Sequence, residues 1–363
     1  MTRNLSLDCL RAIAIMTVFT AHSVLSYSGD AWLAPLQFGG TGVDLFFVLS
    51  GWLIGSQLFA EQRKYANIDL KRFWLRRWMR TFPAYYAVLI LTIVQMYLTK
   101  DNPEFPLSYF FFIQNYQTVM PIFYVSWSLC VEEQFYLLIA PVVILLSRVS
   151  DHTKLTLLLL VLLLPTVFRA LGYYESIEQT HVRWDCCVMG VLLAYLKDNV
   201  KSFWSLLKAH SNALALIAVA AYLFCYVSRW NPQWGIGDPS PLGLAIIFGL
   251  WVVWADAKPL QLSGFLNTVV MFISTRSYSV YLLHLDALAL SKRLIPEQSL
   301  IVYYAFSLLV SLIASELLYK SIELPFMNLR KKFRSTCTRS QISSTTRPSR
   351  SSAATRSSST SSM

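Results

Sequence analysis

Ten apolar stretches succeed one another along this chain, and most are long enough to cross a lipid bilayer as a helix. Only 14% of the 363 residues are charged, against about 25% in a typical soluble domain. We therefore predict an all-α polytopic membrane protein in which residues 1–326 form a bundle of about ten transmembrane helices. The stretches cover residues 10–26, 42–59, 83–98, 127–147, 155–171, 183–196, 211–228, 241–256, 266–288 and 300–320.

The distribution of basic residues predicts how the bundle is oriented. The loop at residues 26–41 contains no Lys or Arg, whereas residues 60–82 contain seven. Because cytoplasmic loops are enriched in these residues, the amino terminus is predicted to be cytoplasmic, and ten crossings return the carboxyl terminus to the same side. Residues 106–117 are aromatic but too short for a crossing, so we place them at the outer interface or in a re-entrant segment.

Residues 327–363 differ in composition from the rest of the chain. They consist mainly of Ser, Thr and Arg, which cannot bury a core, so this segment is predicted to be a disordered cytoplasmic tail. Eight Lys or Arg residues follow Glu323 without any acid, and removing them lowers the net charge from +11 to about +3. The basic character is therefore local, and it indicates no nucleic-acid partner. The six cysteines show no Cys-x-x-Cys spacing, and no metal site is predicted.

The first apolar stretch contains two polar residues, Arg11 and His22, eleven positions apart. Eleven residues make almost three helical turns, so the two side chains share one helix face about 16 Å apart. A titratable group inside a bilayer costs several kcal/mol unless it faces protein or water. Both residues are therefore candidates for a functional site.

Further polar side chains lie in stretches at the end of the bundle predicted to face outward. A histidine there suits general-base chemistry, because its reference pKa near 6.5 lets it accept and return a proton at neutral pH. A carboxylate on its other ring nitrogen would fix the tautomer, and Asp44 is the nearest candidate in sequence, followed by Glu132. The alternative is a neutralised structural network between helices. The set consists of His22, Asp44, Glu132, Glu133, Arg169, Arg183, Asp185 and His284.

Residues 71–86 combine five basic side chains with aromatic residues before the third predicted span. Arginine forks bind phosphate oxygens bidentately, so Arg76, Arg77 and Arg80 suit a polyphosphate ligand that arrives from the cytoplasm. A basic amphipathic segment beside a span also anchors proteins to anionic lipid, and this alternative stays open. The glycines within residues 39–42 and 51–55 indicate close helix packing or a bend.

Several blocks of this sequence together resemble the acyltransferase-3 family of integral-membrane acyltransferases, which includes bacterial O-antigen and exopolysaccharide O-acetylases. The resemblance implies transfer of an acyl group, commonly acetyl, from cytosolic acyl-CoA to a hydroxyl group. It implies as acceptor a glycan, a lipid-linked saccharide or a small molecule, and as setting a bacterial inner membrane. No esterase-like domain follows in these 363 residues, so the helices and their loops are expected to bind the acceptor. The blocks are LDCLRAIAIMTVFTAH, GVDLFFVLSGWLIG, RRWMRTFPAYY, WSLCVEEQFYLLIAP, RWDCCVMGVLLA, SYSVYLLH and IELPF.

The resemblance also implies roles for single residues, carried over by position. The essential histidine of the family falls on His22, and its paired arginine falls on Arg11. The basic motif that the family associates with the CoA donor falls on Arg77 and Arg80, with Arg76 beside them. The acidic motif falls on Glu132 and Glu133.

The resulting hypothesis makes His22 a general base or an acyl carrier that acts between a cytosolic donor and an acceptor on the opposite face. Arg11, Tyr136 or a backbone amide would stabilise the oxyanion. Because Arg11 lies about 16 Å from His22, it cannot contact the same reacting atom, and positioning of the donor is the alternative role for it. The catalytic partners of the base are predicted to be Asp44, Glu132 and Glu133. The acceptor is predicted to contact Arg183, Asp185, Tyr136 and His284.

A proton-coupled transporter or flippase is the competing class, because such carriers also use intramembrane His, Glu and Arg residues. The sequence shows no inverted repeat, and a transporter gives no reason for the cluster of arginines at one end of the bundle.

Overall fold

The computed structural model describes residues 3–28, 31–99, 101, 103–234 and 239–330. All regular secondary structure in these residues is helical. The first helix begins after Asn4, whose side-chain oxygen accepts hydrogen bonds from the amides of Ser6 and Leu7 and so caps the helix. The α-helices are α1 (Leu5–Tyr27), α2 (Gly42–Tyr65), α3 (Leu70–Thr99), α4 (Leu107–Phe110), α5 (Ser126–Leu146), α6 (Asp151–Ala170), α7 (Asp185–Asn199), α8 (Lys201–Ala209), α9 (Ser211–Ser228), α10 (Pro241–Ala257), α11 (Gly264–Leu294) and α12 (Leu300–Leu318).

Each of the ten predicted apolar stretches forms a helix: α1 to α3, α5 to α7 and α9 to α12. Within the described residues, seven helical stretches are long and apolar enough to span a membrane. Of the other three, α7 and α10 have only 15 and 17 residues, and the 31-residue α11 contains several polar side chains. The chain is therefore an all-α polytopic membrane protein, as predicted. We use "inner end" for the end of the bundle where α1 begins and "outer end" for the opposite end, following the predicted orientation.

The third spanning helix is longer than predicted, because α3 begins at Leu70 rather than at residue 83. Pro83 lies inside this helix instead of starting it. Proline removes one backbone donor, but membrane helices tolerate it where neighbouring groups satisfy the freed carbonyl. As a result, the basic segment forms the first turns of the span itself. Arg77 is only 7% exposed, so it lies inside the bundle rather than on a membrane-surface anchor.

The aromatic segment at residues 106–117 does not form a spanning helix, as predicted. It consists of α4 and a single 3-10 turn, Gln114–Tyr116. The hydroxyl groups of Tyr85 and Tyr86 donate to the carbonyls of Tyr109 and Phe110 at 2.8 and 2.9 Å. These two hydrogen bonds hold the segment against α3.

The last helix extends beyond the predicted domain boundary at residue 326. It continues from α12 through a π-helical turn, Tyr319–Glu323, as far as Arg330. The predicted tail therefore begins with helical residues. The prediction of disorder falls mainly on residues 331–363, which lie outside the described residues.

Helices α2 and α7 cross with almost no space between their backbones. A Cβ atom on Gly51 would lie 1.9 Å from the carbonyl oxygen of Cys187, and one on Gly190 would lie 2.2 Å from that of Val48. Only glycine fits at either position, which confirms the prediction of close packing at residues 51–55. The crossing fixes α2 in the centre of the bundle, where it also packs against α1, α5 and α10.

Candidate active site

A buried carboxylate at the inner end of the bundle holds Arg11. Asp8 is 2% exposed and accepts hydrogen bonds from Arg11 Nη1 at 3.0 Å, Arg3 Nε at 2.6 Å and Ser274 Oγ at 2.8 Å. The two arginines neutralise the charge of the Asp8 carboxylate, and the hydroxyl of Ser274 on α11 supplies a third hydrogen bond to it. Asp8 was not predicted as a site residue, although its spacing of three residues from Arg11 is the helical spacing for an ion pair.

A partly open cavity of about 110 Å³ lies between α1, α2, α3, α5 and α11. Its walls carry arginines from two helices, a carboxylate and an apolar side formed by α2. The positions of the lining residues along their helices show that the arginines lie toward the inner end and Tyr281 toward the outer end. The polar groups lining it are Arg11, Ser50, Arg77, Arg80, Thr81, Ser128, Glu132, Tyr136, Ser277, Tyr278 and Tyr281.

The structure brings Arg77 and Arg80 to this cavity but leaves Arg76 outside its lining. Arg77 Nη2 donates to Gln57 Oε1 at 3.3 Å, and its guanidinium lies 5.6 Å from the centre of the Tyr136 ring. Arg80 has no side-chain hydrogen bond or ion pair with any of the described residues. Its guanidinium is therefore available to a ligand in the cavity.

The two acidic residues of α5 lie with the arginines instead of with the histidines. Glu132 lines the cavity together with Ser50 and Tyr136, whose hydroxyls contact each other. Glu133 accepts a hydrogen bond from Thr81 Oγ1 at 2.8 Å. The prediction that both acids share the outer polar cluster with His22 is wrong, because the side chains of α5 at these positions face α2 and α3.

His22 contacts a second histidine at the outer end of the bundle. Its Nδ1 lies 2.7 Å from His284 Nε2, and His284 Nδ1 lies 2.8 Å from the carbonyl oxygen of Tyr281. The His284 side chain is fully buried, whereas His22 is partly exposed. His22 Nε2 has no hydrogen-bond partner among the described residues. Both histidines were predicted to lie at one depth of the bundle, but their contact with each other was not predicted.

Asp44 belongs to a separate ion-pair network that joins α2, α6 and the start of α7. It accepts a hydrogen bond from Arg183 Nη2 at 3.1 Å, and Asp185 accepts one from Arg169 Nη2 at 2.8 Å. Asp44 and Asp185 are almost completely buried. The prediction that Asp44 or Glu132 holds the ring of His22 is therefore wrong, because His284 takes that place. The predicted contacts of Arg183 and Asp185 with an acceptor stay predictions.

Tyr281 lies between the cavity and the histidine pair. Its side chain lines the cavity, its ring centre is 5.7 Å from that of His284, and its hydroxyl is 2.6 Å from Ser128 Oγ. The cavity lining itself stops short of His22. From the inner to the outer end, the site thus contains the arginines, Glu132, the hydroxyl groups of the cavity and then the histidine pair. Tyr281 separates the cavity from the histidine pair.

The fold and this arrangement define a class of integral-membrane helical proteins with an arginine-lined cavity beside a histidine. The family model described as an acyltransferase domain matches residues 4–320. The chain belongs to this family, the acyltransferase-3 family, which confirms the resemblance noted from the sequence blocks.

Two bacterial relatives illustrate what the chain is similar to. It is 25% identical to the peptidoglycan O-acetyltransferase OatA of Listeria monocytogenes over 91% of this chain and 57% of the relative. It is 28% identical to the O-acetyltransferase OatA of Staphylococcus aureus over 90% of this chain and 57% of the relative. The chain thus spans little more than half the length of these curated relatives. No solved structure matches it.

Proposed function

We propose that this chain is a membrane O-acyltransferase that moves an acyl group, specifically acetyl, from acyl-CoA to a hydroxyl group of a glycan. Membership of the acyltransferase-3 family supports acyl transfer of a non-aminoacyl group. The names of both relatives support acetyl as the group, and the name of the Listeria monocytogenes relative supports a glycan such as peptidoglycan as the acceptor. The predicted orientation puts the donor on the cytoplasmic side and the histidine pair toward the far side of a bacterial inner membrane.

The arginines of the cavity are proposed to bind the phosphates of the donor. Arg11, Arg77 and Arg80 line the inner part of the cavity, and guanidinium groups match phosphate oxygens in both charge and geometry. At about 110 Å³ the cavity is smaller than the roughly 300–1,000 Å³ of pockets that enclose a drug-sized ligand. The nucleotide therefore stays at the inner mouth, and only the acyl-bearing arm enters toward Tyr281.

His22 is proposed to act as the general base. It removes the proton of the acceptor hydroxyl while the oxygen attacks the carbonyl carbon of the thioester, which forms a tetrahedral intermediate. Collapse of this intermediate breaks the carbon–sulfur bond, and the proton passes from the imidazolium to the departing thiolate. The hydroxyls of Ser128 and Tyr281 lie at the outer part of the cavity, where they are hydrogen-bonded to each other and to the carbonyl oxygen of Val125.

The main support for this proposal is the unpartnered Nε2 atom of the His22 ring. The protein contacts His22 through Nδ1, and among the described residues nothing occupies Nε2. His22 therefore keeps a second nitrogen that makes no hydrogen bond with the described residues. A general base requires one within hydrogen-bond reach of the substrate proton.

The experiment is transfer of label from radiolabelled acetyl-CoA to glycan in membranes that contain the protein or its variants. His22→Ala is expected to abolish transfer while the protein stays folded and membrane-inserted. The matched control is His152→Ala, which removes an exposed histidine at the start of α6 and is expected to leave transfer unchanged. Retained turnover in His22→Ala contradicts the role of the base, and uptake of label without covalent transfer indicates a transporter instead.

A further inference from the structure

The two histidine rings meet edge to edge. The ring centres are 4.9 Å apart and the ring planes are inclined by 26°, whereas His22 Nδ1 and His284 Nε2 are 2.7 Å apart. The two nitrogens therefore lie between the ring centres and point at each other nearly in the plane of both rings. This is the geometry of a hydrogen bond along the nitrogen lone pair, and it differs from face-to-face stacking.

The third group in this row settles where the protons lie. The carbonyl oxygen of Tyr281 only accepts hydrogen bonds, so the nitrogen 2.8 Å from it, His284 Nδ1, carries a proton. In a neutral imidazole the other nitrogen is then an acceptor, which makes His284 Nε2 the acceptor of the short contact. His22 Nδ1 must consequently be the donor, and a neutral His22 has its lone pair on Nε2.

We propose that His284 is a positioning residue that fixes His22 in the tautomer with a protonated Nδ1 and a basic Nε2. The proposal rests on the proposed function of His22 as general base. His284 does not touch the substrate, because it is fully buried behind His22. It acts through His22, in the way that a carboxylate orients the histidine of a hydrolase triad. Here a neutral ring takes the place of the carboxylate.

A neutral partner suits this location better than a carboxylate does. His284 is fully buried and His22 is largely buried inside the helix bundle, where an isolated charge is costly. Both rings are neutral before the reaction, so the resting site bears no net charge. When His22 accepts the substrate proton, its Nδ1–H remains hydrogen-bonded to His284, and the polarised His284 Nδ1–H remains bonded to the Tyr281 carbonyl. The row thus stabilises the imidazolium without a permanent charge.

Two substitutions of similar size separate this role from simple packing. In His284→Gln the amide nitrogen is placed to donate to the Tyr281 carbonyl, which leaves the amide oxygen to accept from His22 Nδ1. In His284→Met no acceptor remains, although the side chain has a similar length. We expect His284→Gln to keep kcat within about tenfold of the wild type and His284→Met to lose on the order of 10²–10⁴-fold. The KM values for acetyl-CoA and acceptor are expected to stay unchanged in both.

Equal kcat values for the two variants, whether near the wild-type value or equally reduced, overturn the proposal. Nitrogen-15 NMR of ring-labelled histidine in the wild-type protein tests the tautomer without relying on any variant of His284 or on activity. His22, assigned by the signals missing in His22→Asn, is expected to show a protonated Nδ1 and a non-protonated Nε2. The reverse pattern overturns the proposal even if both His284 variants fail to fold. If His22→Ala keeps its turnover, the proposed function fails, whereas the tautomer measured by NMR stands by itself.

Discussion

Asp8 and Arg11 lie one turn apart on α1, and the carboxylate of Asp8 accepts a 3.0 Å hydrogen bond from the Arg11 guanidinium. Ser274 donates to the same carboxylate oxygen at 2.8 Å, so α11 helps to hold the pair. Arg11 lines the cavity and Asp8 does not. Under the proposed function, Asp8 would act on a bound donor only through Arg11.

Asp8→Asn is predicted to weaken donor binding. The substitution keeps the size of the side chain but replaces a charge-assisted hydrogen bond, which contributes about 1.5–3 kcal/mol, with a weaker neutral one. We expect the KM for acetyl-CoA to rise about tenfold, which corresponds to about 1.4 kcal/mol. Steady-state kinetics with each substrate varied in turn measures the effect, with Asp101→Asn, an exposed acid, as control. An equal rise in the KM for the acceptor contradicts the assignment.

Arg77→Ala combined with Arg80→Ala is predicted to raise the KM for acetyl-CoA more than that for the acceptor. Both guanidinium groups line the inner part of the cavity, so their loss is expected to remove the proposed phosphate contacts and to leave the outer end intact. Arg148→Ala removes an exposed arginine near the inner end and serves as the control for a general loss of positive charge. Equal effects on both substrates would point to a structural or lipid-binding part for the two residues.

Asp44→Asn is predicted to destabilise the fold more than it slows the reaction. Asp44 and Arg183 form a buried pair, and removing one partner of such a pair costs about 3–5 kcal/mol because the other charge remains buried. Thermal unfolding in detergent measures the loss, and kcat is compared per folded molecule. Asp44→Asn combined with Arg183→Gln is expected to recover part of the stability. A large loss of kcat at unchanged stability would instead support the catalytic role predicted from the sequence.

Gly51→Ala is predicted to separate α2 from α7. The new Cβ would lie 1.9 Å from the Cys187 carbonyl oxygen, so the backbones must move apart, at a cost of about 1–3 kcal/mol in unfolding free energy. Gly40→Ala is the matched control, because a Cβ there meets no atom within 4 Å. The midpoints of thermal unfolding compare the two variants. Equal midpoints would mean that the crossing is not as tight as its geometry indicates.

Several features of this protein follow from short-range patterns in its sequence. Every predicted apolar stretch is a helix, because an apolar run of sufficient length has only one way to satisfy its backbone in a bilayer. The shared face of Arg11 and His22 likewise follows from the spacing of one helix. Where a local pattern was ambiguous the prediction failed: Pro83 suggested a helix start, although α3 begins at Leu70.

The partners of the polar side chains were decided by the tertiary structure alone. His22 and His284 are 262 residues apart in the chain, and Asp44 and Arg183 are 139 apart. Nearness in sequence suggested Asp44 as the partner of His22, yet in the structure Asp44 pairs with Arg183 and His22 pairs with His284. A sequence determines which side chains a helix carries and on which face. Which faces meet depends on how all the helices pack together, and no single helix contains that information.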